Sequence, residues 1–388
     1  MKIEYSEKIK QLPPYLFAEI DRLKEEAKAR GLDIISLGIG DPDLATPDVV
    51  IETLNKTAKD IDNHHYPSYS GLLSFRQKIA DWFKSRYGVE FNPETEILSV
   101  IGSKEAIGHL PFAFINRDDI VLIPDPAYPV YRSATLFAEG IPYFMPLKKE
   151  NNFFPDLDAI PSDVRNRAKI MFLNYPNNPT AAVATEDFFK EVIKFAEKYN
   201  IIIAHDAAYN ELYFDDKKPI SFFEVEGARE VGIEFHSFSK TFNMTGWRVG
   251  FAVGNKDIIA GLGKIKSNLD SGIFQAIQYA AMSALDNYEE LNRKNREIFQ
   301  HRRDIVAENL DELGWSYRLP QATFYMWIDV LPGYDSKKMA MKMLEEQGIV
   351  VTPGVGFGEA GEGFIRMALT VNDDKIKEVF NRIKKIEW

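Results

Sequence analysis

Short apolar runs alternate along this chain with longer stretches in which apolar residues recur every third or fourth position. The runs at residues 34–37, 96–101, 120–123, 169–173, 201–204, 231–235 and 248–253 read as buried strands. The periodic stretches predict helices over residues 15–30, 72–87, 188–199, 256–266, 274–285 and 288–313. In the first of these Leu16, Ile20, Leu23 and Ala27 share a face, and Gly31 marks the stop. Gly102-Ser103-Lys104-Glu105-Ala106 opens a further helix directly after a strand. The last part of the chain mixes strands at 325–330 and 364–368 with helices at 336–347 and 373–386. Repeated strand–helix units imply a mostly parallel sheet with helices on both faces, here followed by an α+β tail. The expected division is a large module over residues 35–285 and a smaller one formed by residues 1–34 and 286–388. No internal repeat or low-complexity linker interrupts it.

In sheets of this kind ligands bind beyond the carboxyl ends of the strands. Ser103, Tyr128, Asn178, Asp206 and Lys240 all fall just after predicted strands, which places them on one edge. Lys240 is the centre of this set. It sits on the predicted turn after the 231–235 strand, with Ser237 before it and Arg248 after it. A lysine amine held at a strand end can form a Schiff base with a carbonyl. Serine and arginine suit a phosphate, because the planar guanidinium fork matches phosphate oxygens. An aldehyde-binding lysine with phosphate anchors is what pyridoxal phosphate requires; an ordinary surface loop is the plain alternative.

The neighbouring segments each carry a plain and a chemical reading. Ser103 either caps its helix or helps the helix N-terminus hold a phosphate. Tyr128 either packs or stacks on a flat ligand. Asn174-Tyr175-Pro176-Asn177-Asn178-Pro179-Thr180 is a rigid polar turn. Asp206, at the mouth of a buried strand, either caps a helix or pairs with a cation. Gly38-Ile39-Gly40 either turns the chain or lets its backbone approach a ligand closely. Tyr66-Pro67-Ser68-Tyr69-Ser70-Gly71 is too polar for a core strand and reads as an aromatic loop. Arg366, inside an apolar strand, requires an anionic partner, either structural or a substrate carboxylate.

Composition narrows the function classes. A net charge of −11 without a long basic cluster argues against nucleic acid. With no cysteine there is no disulfide framework, thiol nucleophile or zinc–thiolate site. No apolar run approaches a membrane span and no secretory leader is evident, so a cytoplasmic enzyme acting on small molecules is expected, with no metal at its site.

Asn178-Pro179-Thr180, Asp206-x-x-Tyr209 and Ser237-x-x-Lys240 followed by Arg248, in that order, closely resemble the class I/II aminotransferases, the fold-type I pyridoxal-phosphate enzymes. The resemblance covers nearly the whole chain and implies that fold: a large domain with a mostly parallel sheet sandwiched by helices, plus a smaller α+β domain. It implies Lys240 as the Schiff-base lysine and proton carrier, and Asp206 as partner of the pyridine nitrogen. Tyr209 and Asn178 are implied as donors to the ring oxygen, and Tyr128 as the stacking ring. Ser103, Lys104, Ser237 and Arg248 are implied at the phosphate, joined by Tyr66 from the neighbouring subunit of a homodimer. Arg366 and the Gly40 backbone are implied at the substrate α-carboxylate.

Within the family, Leu12 to Phe17, Tyr175 to Ala184, His205 to Tyr209 and Lys266 to Gln278 are similar to LL-diaminopimelate aminotransferases. That likeness implies ping-pong transfer between LL-diaminopimelate and 2-oxoglutarate, in lysine biosynthesis. It makes Tyr15, and less directly Asn268 and Asp270, candidates for the distal end of the substrate. Ala181, where the broader family has glycine, departs from a simple aspartate aminotransferase. An aminotransferase for another amino acid, a lyase on the same scaffold and a non-catalytic ligand-sensing module stay open on the sequence.

Overall fold

The computed structural model describes residues 1, 3–12 and 16–388, with side chains of residues 16–19 excepted. Its strands are β1 (Ile35–Ser36), β2 (Ile97–Val100), β3 (Ile120–Asp125), β4 (Ile141–Pro146), β5 (Ala168–Asn174), β6 (Ile202–Asp206), β7 (Gly232–Ser237), β8 (Gly250–Gly254), β9 (Tyr325–Asp329), β10 (Ile349–Val350), β11 (Thr352–Pro353) and β12 (Phe364–Ala368). Seven form one sheet in the order β2-β8-β7-β6-β5-β3-β4. β4, β3, β5, β6 and β7 run parallel, and β8 is antiparallel to both β7 and β2. The expected mostly parallel sheet is therefore present. The reversal of β8 matters for the site, because it brings the start of β8, and Arg248 just before it, to the edge where the parallel strands end.

The alternation of side chains along each strand separates two cores. Val121 and Ile123, with Ile170, Phe172, Ala204, Ile233 and Phe235, face helices Ser103–Phe114 and Lys256–Leu269. Leu122, Met171, Leu173 and Ile203 face helices Leu73–Tyr87, Glu186–Tyr199 and Gln275–Asp286. A third core joins β9 and β12 to helices Ser336–Gln347 and Asp373–Ile383. The Tyr288–Leu313 helix ties the cores together: Tyr288 packs in the second and Leu310 in the third. β1 pairs with β10, joining the start of the chain to the C-terminal part.

Two local outcomes differ from the sequence pattern. Lys240 lies on a single helical turn, Phe238–Thr241, because the Ser237 hydroxyl accepts from the Ser239 N–H at 3.2 Å and caps it. β4 gave no apolar-run signal, since prolines 142 and 146 fall within and at the end of it; both are tolerated because β4 is an edge strand.

Candidate active site

β5, β6 and β7 end in Asn174, Asp206 and Ser237, and these ends open onto a cavity of about 400 Å³. Most residues expected at the site line it. They are Gly40, Ser103, Lys104, Tyr128, Asn178, Asp206, Tyr209, Ser237, Lys240 and Arg248. The wall also includes Asn174, Ser239 and Tyr325, which the sequence reading did not single out.

At one end the Ser103–Phe114 helix presents its N-terminus. Its cap is Gly102, at φ 75°, rather than a serine side chain. A Cβ on Gly102 would displace the Arg248 guanidinium from its place over the helix start, and the positive φ itself favours glycine. Arg248, itself at φ 54°, donates to the Thr245 carbonyl at 2.9 Å. Helix N-terminal N–H groups, the Ser237 hydroxyl and a guanidinium together make an anion cradle.

Asp206 lies at another wall. Its carboxylate accepts from the Tyr131 hydroxyl at 2.8 Å and from the Ala208 N–H at 3.3 Å. Burial pushes the carboxyl up and the Tyr131 hydrogen bond pulls it back, so a cation placed against it would hold it ionised. Tyr131 is itself fixed by stacking on Phe172, 4.9 Å between centroids. Behind Asp206, Glu234 accepts from His205 at 2.9 Å, His236 at 2.6 Å and the Phe222 N–H at 2.9 Å. Those hydrogen bonds hold Glu234 well below the usual carboxylate range against its burial.

Lys240 extends into the cavity and donates to the Gly40 carbonyl at 3.0 Å. Burial lowers its amine to about 8; Arg248 and Arg366 push the same way and Asp41 opposes them. An amine lowered that far is a competent nucleophile and proton carrier near neutral pH.

Arg366, in the middle of β12, is fully buried. It donates to Asn178 Oδ1 at 2.7 Å and to the Gly38 carbonyl at 2.6 Å, between the rings of Tyr325 at 4.1 Å and Phe357 at 4.5 Å. Asn178 is placed by Asn174, whose amide donates to the Asp206 carbonyl at 2.7 Å and whose Oδ1 accepts the Asn178 N–H at 2.7 Å. The polar turn therefore locks β5 to β6 and aims Asn178 at Arg366. The Tyr209 and Tyr325 hydroxyls lie 2.9 Å apart.

Some expected residues lie elsewhere. Tyr66 is 92% exposed on the surface of this chain. Tyr15 lies outside the described residues. Asn268 donates to the Lys264 carbonyl at 2.8 Å, and Asp270 lies 3.5 Å from His109; neither lines this chain's cavity. Ala181 takes φ 56°, the left-handed conformation for which glycine is the low-cost residue.

Fold and cavity together define an α/β transferase of fold type I. The family model for aminotransferase class I and II matches residues 32–383, and the chain belongs to that family. It is 55% identical over 383 residues to an LL-diaminopimelate aminotransferase of Syntrophobacter fumaroxidans, covering 99% of each chain. It is 54% identical over 382 residues to the Halothermothrix orenii protein of the same name, covering 98% of each. Among solved structures it is similar to substrate-bound BacF from Bacillus subtilis, with a TM-score of 0.95, 39% identity and coverage of 100% and 99%. Membership implies amino-acid and oxo-acid substrates and dependence on pyridoxal phosphate. The cavity fits that group: a glycine-kept anion cradle, a buried carboxylate and a lysine amine line one space. Among the described residues no helix is long and apolar enough to cross a membrane.

Proposed function

We propose that this chain is a cytoplasmic LL-diaminopimelate aminotransferase with 2-oxoglutarate as acceptor, working by a ping-pong cycle with pyridoxal phosphate. The observation that carries the reading is 55% identity over 99% of the chain to a relative of that name; a cavity lined by Lys240, Asp206, Arg248 and Asn178 supports it.

Pyridoxal phosphate supplies, when bound, the aldehyde and electron-withdrawing ring through which an amino group is exchanged. The chain's own groups do the rest. The Ser103 and Lys104 N–H groups, Ser237 and Arg248 would bind the phosphate. Asp206 would keep the ring nitrogen protonated, and Tyr128 would lie against the ring face. Asn178 and Tyr209 would donate to the ring oxygen; with Asn178 Oδ1 committed to Arg366, its amide hydrogens remain for this purpose. Lys240 would hold the carbonyl carbon and, once displaced by substrate, carry the proton between substrate Cα and cofactor C4′.

Arg366 would grip the α-carboxylate of both donor and acceptor, beside the Gly40 backbone, so that one site serves both half-reactions. Tyr66 would reach the phosphate of a second copy, making a homodimer with shared sites. Tyr15 would serve the distal end of the substrate. Residues 35–285 would form the large module, with residues 1–34 and 286–388 as the small one.

A panel of amino donors with 2-oxoglutarate tests the reading. LL-diaminopimelate should give glutamate in equal amount to donor consumed, faster than aspartate, alanine or aromatic donors. No glutamate from LL-diaminopimelate, with turnover of another donor, would remove the specificity and leave the class. Release of ammonia or carbon dioxide instead would oppose transfer itself.

A further inference from the structure

Tyr325 stands where the two ends of the proposed site meet. It begins β9, opposite Ala368 of β12, so it shares a sheet face with Arg366 two residues away. Its ring face lies 4.1 Å from the Arg366 guanidinium carbon. Its hydroxyl is 2.9 Å from that of Tyr209. The same hydroxyl fills the space above Gly40, where any Cβ would collide with it, and the Gly40 carbonyl receives the Lys240 amine. One side chain from the C-terminal sheet thus touches a group proposed for the ring oxygen, the group proposed for the carboxylate, and the backbone beside the reactive lysine.

We propose that Tyr325 is a positioning residue that acts through Tyr209 and Arg366: its hydroxyl donates to the Tyr209 oxygen, and its ring holds the Arg366 guanidinium plane. The inference rests on the functional reading above. A tyrosine hydroxyl has one hydrogen to give. If Tyr209 gave its hydrogen to Tyr325, it would have none for a cofactor oxygen; with Tyr325 as donor, the Tyr209 hydrogen points to the ligand and the chain of two bonds is mutually strengthened. Planar stacking of guanidinium on an aromatic face restricts the fork to the orientation a carboxylate needs. The charged groups facing the Tyr209 hydroxyl are Arg366 and Asp206, and those facing Lys240 are Asp41, Arg248 and Arg366. Tyr325→Phe alters none of them.

The test uses the full-length, cofactor-loaded protein and a pH titration of the visible absorbance of the bound cofactor. Tyr209→Phe should move the midpoint upward by about one unit or more, since a donor to the ring oxygen is lost. Tyr325→Phe should move it upward by less, roughly a few tenths of a unit, and the double variant no further than Tyr209→Phe alone. Tyr325→Phe keeps the ring and should leave the donor KM near its original value, whereas Tyr325→Leu should raise KM about tenfold. A Tyr325→Phe midpoint equal to that of the parent while Tyr209→Phe shifts, or shifts that simply add in the double variant, would overturn the proposal. If Tyr209→Phe itself leaves the midpoint in place, the assignment of Tyr209 to the ring oxygen fails first, and this inference with it.

Discussion

Two lysines of the protein, Lys266 fully buried and Lys240 partly so, lie in regions that differ in what faces the amine. Lys266, on the Lys256–Leu269 helix, is 1% exposed and lies 2.8 Å from Glu105 and 3.0 Å from the Ser271 carbonyl. Lys240 faces the Gly40 carbonyl across the cavity; burial lowers its amine to about 8, Asp41 opposes, and Arg248 and Arg366 add to the lowering. The first region neutralises its lysine with a carboxylate, and the charge joins two helices. The second withholds a carboxylate ion pair, so the amine can lose its proton and attack or carry one. A lysine in the interior is therefore reactive where water is excluded and its partner is a neutral carbonyl, and structural where a carboxylate pairs with it.

The largest effects should separate these regions. Lys240→Ala should cut turnover on the order of 10⁴-fold, with no loss of stability at pH 7. Lys266→Ala should do the reverse: loss of the buried amine from the half-buried Glu105, which keeps the Ile101 N–H, costs about 1–3 kcal/mol of stability in urea unfolding, while folded protein keeps its cofactor spectrum. If Lys266→Ala abolished the spectrum in folded protein, the contrast would be wrong. Next, Arg366→Lys should raise donor KM by roughly ten- to a hundredfold, because a point charge cannot replace the bidentate fork; an unchanged KM would move the carboxylate site elsewhere.

A smaller effect follows from pH. The Lys240 value of about 8 in the folded protein lies below that of an unfolded lysine, about 10.4. Its charge thus opposes folding below pH 8, and the penalty is relieved as pH rises from about 8 through 10.4. Cofactor-free Lys240→Met should be more stable than its cofactor-free parent at pH 7 by about 1–3 kcal/mol, with the difference gone near pH 10.5. A difference that is constant with pH would show that burial does not lower this amine. The smallest effect belongs to Ala181→Gly: relief of the left-handed backbone should add up to about 1 kcal/mol, with both lysines behaving as before.

Much of this was legible because the relevant signals are local. All the parallel strands but β4 are apolar runs long enough to be seen, and the residues that follow each run necessarily share one edge. Ser103, Asn178, Asp206 and Lys240 reach the cavity for that reason. Arg366 stood out because a cation in an apolar strand must meet a specific partner. Tyr325 did not stand out, since an aromatic residue at the head of a strand is ordinary core composition; only the pairing of β9 with β12 brings it to Arg366 and Tyr209. Asn174 was seen as part of a turn, but its clamp between β5 and β6 depends on strand register. Asn268 and Asp270 had suitable chemistry for an ammonium, yet in this chain the C-terminal end of their helix directs them to Lys264 and His109.

The most direct test of the account is borohydride reduction of the cofactor-loaded protein, followed by peptide mapping. The account predicts a single pyridoxyl adduct on Lys240, none on Lys266, and loss of that adduct in Lys240→Ala. Protein that binds no cofactor, or an adduct on another lysine with Lys240 unmodified, would contradict it.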